Sequence, residues 1–249
     1  MFKGIFFVCG MDPLYSSTRS FQGLTGSYMD FPSHLLPPGM LWLANLLLVP
    51  VVMGAVRHAS LSRLWNNEFV HVYLASCVVL LLLWNTGVGV LPALNFHLLG
   101  VTVVTLMFGW AYAVIAVVLV VSATIINQGD AWVAIGMNSL VMGMVPVAVT
   151  ELLLRFAQRK LIHNFFVYVY VNGFLAAGLS IVAAGLVGGL VMLAADSTSV
   201  EWLVSQYYPY LPLLFFSEAF VNGMLMSGLV VMRPGWVCSF DDESYLNNK

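Results

Sequence analysis

His97 is the side chain in this sequence best suited to chemistry. It stands at the head of the apolar run Leu98-Leu-Gly-Val-Thr-Val-Val-Thr-Leu-Met-Phe108, which is too short to cross a bilayer. A neutral imidazole is a good ligand for first-row transition metals, and an ionisable group at membrane depth is read as functional by default. Asn95 and Asn138 could offer carbonyl oxygens or hydrogen-bond the second ring nitrogen, an orientation that metal-bound histidines require. Asp30 and His34 precede the first apolar block and could fold over the same place. Glu218 is an acid deep inside an apolar stretch, and Asn222, four residues later, shares its helical face. Each has a plainer role open to it. His97 could bond a backbone group, Asn138 could join two helices, His34 could be a solvated loop residue, and Glu218 with Asn222 could form a structural network. Glu151 and Arg155, also four apart, read as a surface pair.

The elements that must position these groups are membrane helices. Of the residues, 61% are hydrophobic and 8% charged, and long apolar runs recur with short polar breaks, so the expected fold is an all-α, multi-pass membrane protein. In a membrane chain the net charge of −2 says nothing about nucleic acid, and no nucleic-acid partner is expected. Three scattered cysteines make neither a disulfide framework nor a zinc cluster. The apolar blocks fall at residues 39–56, 69–84, 98–126, 135–154, 165–193 and 208–232, six by simple count. The basic residues revise that count, because Lys and Arg in short loops mark the cytoplasmic side. Arg57 and Arg63, then Arg155, Arg159 and Lys160, then Arg233 share one side only if the third block crosses twice. Gly109 and Trp110 divide it. Seven helices follow, one of them short, with the amino end outside and the carboxyl end inside. A helix from His97 to Met107 extends about 16 Å, half of a hydrocarbon core. Unless residues 91–96 supply the missing turns, His97 then lies near the midplane, at the foot of an outward-facing cavity.

Residues 1–28 are Ser-, Thr- and Gly-rich after a brief apolar patch and have neither the length nor the cleavage site of a signal peptide. They are expected to be a non-native or disordered extension, with Met29 as the start. Residues 29–238 then form the transmembrane domain, and residues 239–249 a polar cytoplasmic tail. Val171-Asn-Gly-Phe-Leu-Ala-Ala-Gly-Leu179 and Val221-Asn-Gly-Met-Leu-Met-Ser-Gly-Leu229 repeat one pattern, which reads as close helix packing through small residues.

Several motifs resemble one family in their order and spacing. Met29-Asp-Phe-Pro-Ser-His-Leu-Leu-Pro-Pro38 is similar to a start of the form Met-His-Ile-x-Glu-Gly-x-Leu-Pro-Pro. Asn95-Phe-His-Leu-Leu-Gly100 looks like a His-containing loop, and Gly136-Met-Asn-Ser-Leu-Val-Met-Gly-Met-Val-Pro146 like a Gly-x-Asn-x-x-x-Met-x-x-x-Pro helix. Glu218-Ala-Phe-Val-Asn-Gly223 and the tail from Arg233 to Tyr245 extend the match. Together they resemble the CbiM and NikM family, the cobalt and nickel substrate-capture proteins of energy-coupling factor transporters. That resemblance implies a metal surrounded by the Met29 amine, the residue after it and His97. Position two here is Asp30 where the family has His, and a carboxylate removes a nitrogen donor that square-planar nickel favours. The resemblance also implies a transmembrane coupling protein and ATPase subunits as partners.

The expected function is therefore capture of a divalent transition-metal ion, cobalt or nickel, for uptake across the inner membrane. The ion would be cargo, with no intrinsic cofactor. A metal-free accessory or assembly subunit of another membrane complex is the alternative, favoured by Asp30 and the extension. The chain lacks a Walker loop, a Gly-x-Ser-x-Gly elbow and a His-Glu-x-x-His motif, so ATP hydrolysis and those hydrolase chemistries are not expected of it.

Overall fold

A chain of apolar runs in lipid must close every backbone hydrogen bond within itself, which selects helices. The computed structural model describes Phe31 and residues 33–85, 88–91, 94–96 and 98–241. Helices α1 (Pro38–His58) and α2 (Asn67–Asn85) come first, followed by strands β1 (Val88–Leu91) and β2 (Leu94–Phe96). Next are the short α3 (Val101–Phe108) and α4 (Trp110–Gln128). Three long helices complete the bundle: α5 (Trp132–Lys160), α6 (Phe165–Ala194) and α7 (Val200–Met232). All of these helices except α3 are long and apolar enough to cross a membrane, and apart from the short hairpin the chain is an all-α, multi-pass membrane protein. Large apolar side chains such as Leu46, Leu82 and Phe216 face outward, as lipid-facing positions should.

The short helix falls inside the third apolar run, with a later start than the sequence suggests. Gly109 adopts φ +87° and breaks the third apolar run into α3 and α4. Gly100 adopts φ +64° and sets the start of α3, so the helix begins at Val101, four residues later than His97. The missing turns are not helical, since Val88 pairs with Phe96 and Gly89 with Asn95 in an antiparallel hairpin. Eight residues span about 12 Å, and all eight of α3 are buried.

Contacts at the two ends of the bundle establish how the helices alternate. At one end Trp236 Nε1 donates to Glu68 Oε1 and Tyr112 Oη to the Ser60 carbonyl, while the hydroxyls of Tyr168 and Ser239 are hydrogen-bonded. The breaks after α1, α3 and α5 and the segment after α7 therefore lie together, bringing the basic residues to one side. At the other end Asn127 Nδ2 donates to Asn85 Oδ1 and Ser33 is bonded to Asp130. The Glu151–Arg155 pair is present at 2.8 Å on the surface of α5.

The repeated Asn-Gly pattern is a packing device between α6 and α7. The nearest atoms to an added Cβ on Gly173 would be Met226 Cβ at 3.3 Å and Gly223 Cα at 3.4 Å, so the two copies face each other. Helix α6 widens to π-type hydrogen bonding over Tyr168–Leu175, and α5 does so over Ser139–Met144, shortly before Pro146.

Candidate functional site

Two buried networks grip the chain beside the expected ligands. The first holds the amino-terminal segment. Asn138, on α5, accepts the Phe31 N–H through Oδ1 at 2.8 Å and donates through Nδ2 to the Phe31 carbonyl at 3.1 Å and to Ala134 O at 3.0 Å. A carboxamide satisfies both backbone groups of one residue in this way, as a neighbouring strand would. The Phe31 ring is buried against Gly188 of α6, where an added Cβ would stand 3.1 Å from it. Two residues later the Ser33 N–H and hydroxyl donate to Asp130 at 3.0 and 2.6 Å, and the Ala131 N–H donates to it at 2.7 Å. Burial raises the cost of charging Asp130, but these bonds and the nearby His34 outweigh it and hold the carboxyl below its ordinary value.

The second network holds α3. A short helix leaves most of its terminal N–H and C=O groups without partners inside it, and Gly100 has no side chain to cap them. Glu218, from α7, accepts Leu99 N–H at 2.8 Å and Gly100 N–H at 2.7 Å, one on each carboxylate oxygen. Asn222 Nδ2 donates to Glu218 Oε1 at 2.9 Å, and its Oδ1 accepts the Val103 N–H at 3.4 Å. The positive end of the helix dipole favours an anion there. Glu218 and Asn222 are 0% and 1% exposed, so the cap is made out of water. At the opposite end the N–H groups of Cys238 and Ser239 donate to the carbonyls of Met107 and Leu106, and Ser239 Oγ also donates to Leu106 O. Both ends of α3 are thus finished by the last part of the chain. Ser239 and Phe240, expected to begin a polar tail, are tied into the bundle.

Met29, Asp30 and His97 lie outside the described residues, and Asn95 is placed through its backbone in β2. Glu218 and Asn222 come together as the same-face reading anticipates. Asn138 bonds the segment that follows Asp30. His34 is exposed beside Asp130 in a single 3-10 turn. Among the described residues no three His, Cys, Asp or Glu side chains gather as a metal site. Sequence reasoning passed over Asp130, a lone acid between Gly129 and Ala131, because its partner Ser33 is remote in the chain. It also passed over Asn172, which is buried with neither amide atom hydrogen-bonded among the described residues.

The arrangement joins two gripped segments and a capped half-helix in one multi-helix bundle. A family model described as the cobalt uptake substrate-specific transmembrane region matches residues 30–236, a span that includes Phe31, Asn138, Glu218 and Asn222. The chain belongs to the CbiM family. As a CbiM protein it is a member of a membrane transport family and not an enzyme. Two crystal structures share the fold. One, of a truncated transition metal transporter, has a TM-score of 0.68 at 19% identity, covering 82% of this chain and 99% of that one. The other, of a transition metal transporter, has a TM-score of 0.67 at 19% identity, covering 81% and 92%. No curated protein matches the chain.

Proposed function

We propose that this CbiM chain captures a divalent transition-metal ion, cobalt or nickel, from the outer side of the inner membrane for uptake. The Met29 amine, Asp30 and His97 are its ligands, with Asn95 beside them. The observation that supports this reading most strongly is that the chain is pinned immediately after each ligand-bearing stretch. Asn138 fixes both backbone groups of Phe31, next to Asp30, and Glu218 fixes the N–H groups of Leu99 and Gly100, just after His97. Pre-organised ligand arms reduce the ordering cost of binding, and a gripped backbone is what a site built from two remote segments requires. Asp30 in place of an imidazole makes cobalt the first ion to test. Without a Walker loop the chain relies on partners for energy, and the family resemblance points to a coupling protein and ATPases.

The test is to purify the chain beginning at Met29 beside His97→Ala and Asn138→Ala, equilibrate each with cobalt, nickel, copper or zinc, and measure bound metal by elemental mass spectrometry. The expected result is near-stoichiometric retention by the parent and loss in His97→Ala. Asn138→Ala should keep the site with affinity lowered by roughly 10–100-fold, the range for lost orienting groups. No retention by the parent would instead support the metal-free accessory role.

A further inference from the structure

The short helix leaves a gap that the capture function does not use. Helices α2 and α7 flank α3, and because α3 begins partway through the bundle an apolar groove of about 500 Å³ runs over it, lined by Val79, Leu83, Val103, Val104 and Leu225 among others. Val72, Met107 and Trp236 line this groove and also a second cavity of about 840 Å³ at the basic end of the bundle. The two spaces therefore adjoin along these three side chains. Arg63 and Arg233 both line the second cavity. Each guanidinium lies over an aromatic ring, Arg63 5.8 Å from the centroid of Phe69 and Arg233 5.6 Å from that of Trp236. Stacking of this kind leaves the N–H edge of a guanidinium able to donate to a phosphate. Glu68 shares the cavity, and its carboxylate accepts the Trp236 indole N–H at 2.7 Å.

We propose that an anionic phospholipid occupies this paired space, its phosphate between Arg63 and Arg233 and one acyl chain lying in the groove over α3. Charge and adjacency select that occupant. A free phosphate would leave the apolar groove unfilled, and a neutral lipid would forgo two cations, which outnumber Glu68, the one acid among the described residues that line the cavity. The basic loops place this end of the bundle at the cytoplasmic leaflet, which is the anionic one. The lipid would fill the groove between α2 and α7 over the buried α3 and so support the half-helix from the membrane side.

The experiment is native mass spectrometry of the full chain released from micelles containing equal phosphatidylglycerol and phosphatidylcholine with identical acyl chains. The parent should retain one phosphatidylglycerol in preference by roughly tenfold or more, given two arginine contacts to a headgroup. The double variant Arg63→Gln/Arg233→Gln should lose the preference, while Arg63→Lys/Arg233→Lys keeps most of it. These side chains are exposed, and unchanged thermal unfolding would establish that the variants fold. Leu225→Trp, which narrows the groove, should lower retention with both arginines intact. Millimolar inorganic phosphate should not displace the lipid. Equal retention of the two lipids, an unaffected glutamine variant, or displacement by phosphate would each overturn the proposal. So would absence of any bound lipid, which would leave the cleft to a protein partner.

Discussion

Glu218 shows how one side chain can take the place of a helical turn. Its carboxylate accepts three N–H groups, two from the backbone before α3 and one from Asn222. Glu218→Gln keeps the shape but replaces one acceptor oxygen with a donor, leaving a buried N–H unsatisfied at a cost of about 1–3 kcal/mol. The expected outcome is a lower Tm in detergent, measured by intrinsic fluorescence, with a larger drop for Glu218→Ala. Asp130 makes a prediction about pH. Its folded pKa is depressed despite burial, through bonds from Ser33 and Ala131, so its stabilising effect is present above the ordinary carboxylate pKa and lost as pH falls through the folded value. Protease protection of the segment around Ser33 should therefore be unchanged from neutral to mildly acidic pH and decline below the usual carboxylate range. Asp130→Asn should remove that acid-dependent decline.

At the scale of elements, the α6–α7 seam depends on glycine. An added Cβ on Gly223 would fall 2.2 Å from Phe174 Cδ2, so Gly223→Val must displace that ring or separate the helices. Overpacking of this kind costs about 1–3 kcal/mol, and the check is the detergent concentration or temperature at which the purified variant loses its monodisperse gel-filtration peak. Much of this level was legible in the sequence. Apolar length and loop charge gave the helices, and Gly109 marked the break because a run too long for one crossing had to be divided there. Asn222 could be paired with Glu218 because both lie on one helix, four residues apart. The cap they form could not be read, since Leu99 and Gly100 offer only backbone N–H groups and lie more than a hundred residues away in the chain. The hold of Asn138 on Phe31 was hidden for the same reason: a backbone partner leaves no signature in residue type. The start of α3 was misplaced toward His97 because Leu98 and Leu99 continue the apolar run, while the left-handed turn at Gly100 overrides it.

For the whole molecule, the sharing of one end by all the basic loops predicts orientation. In a background with the native cysteines replaced, Ser197→Cys should react with an impermeant maleimide added outside intact cells, and Lys160→Cys only after permeabilisation. The reverse pattern would invert the topology. The finishing of α3 by Glu218, Cys238 and Ser239 has a further consequence for how the protein is made. In hydrocarbon, an N–H or carbonyl without a partner costs several kcal/mol. While the chain is being synthesised, α3 emerges well before the residues that satisfy its two ends. The half-helix cannot settle until α7 has inserted and the segment after it has folded back. Biogenesis therefore has a built-in order: residues made more than a hundred positions later complete an element laid down early, and a product cut short before Glu218 lacks a stable place for it.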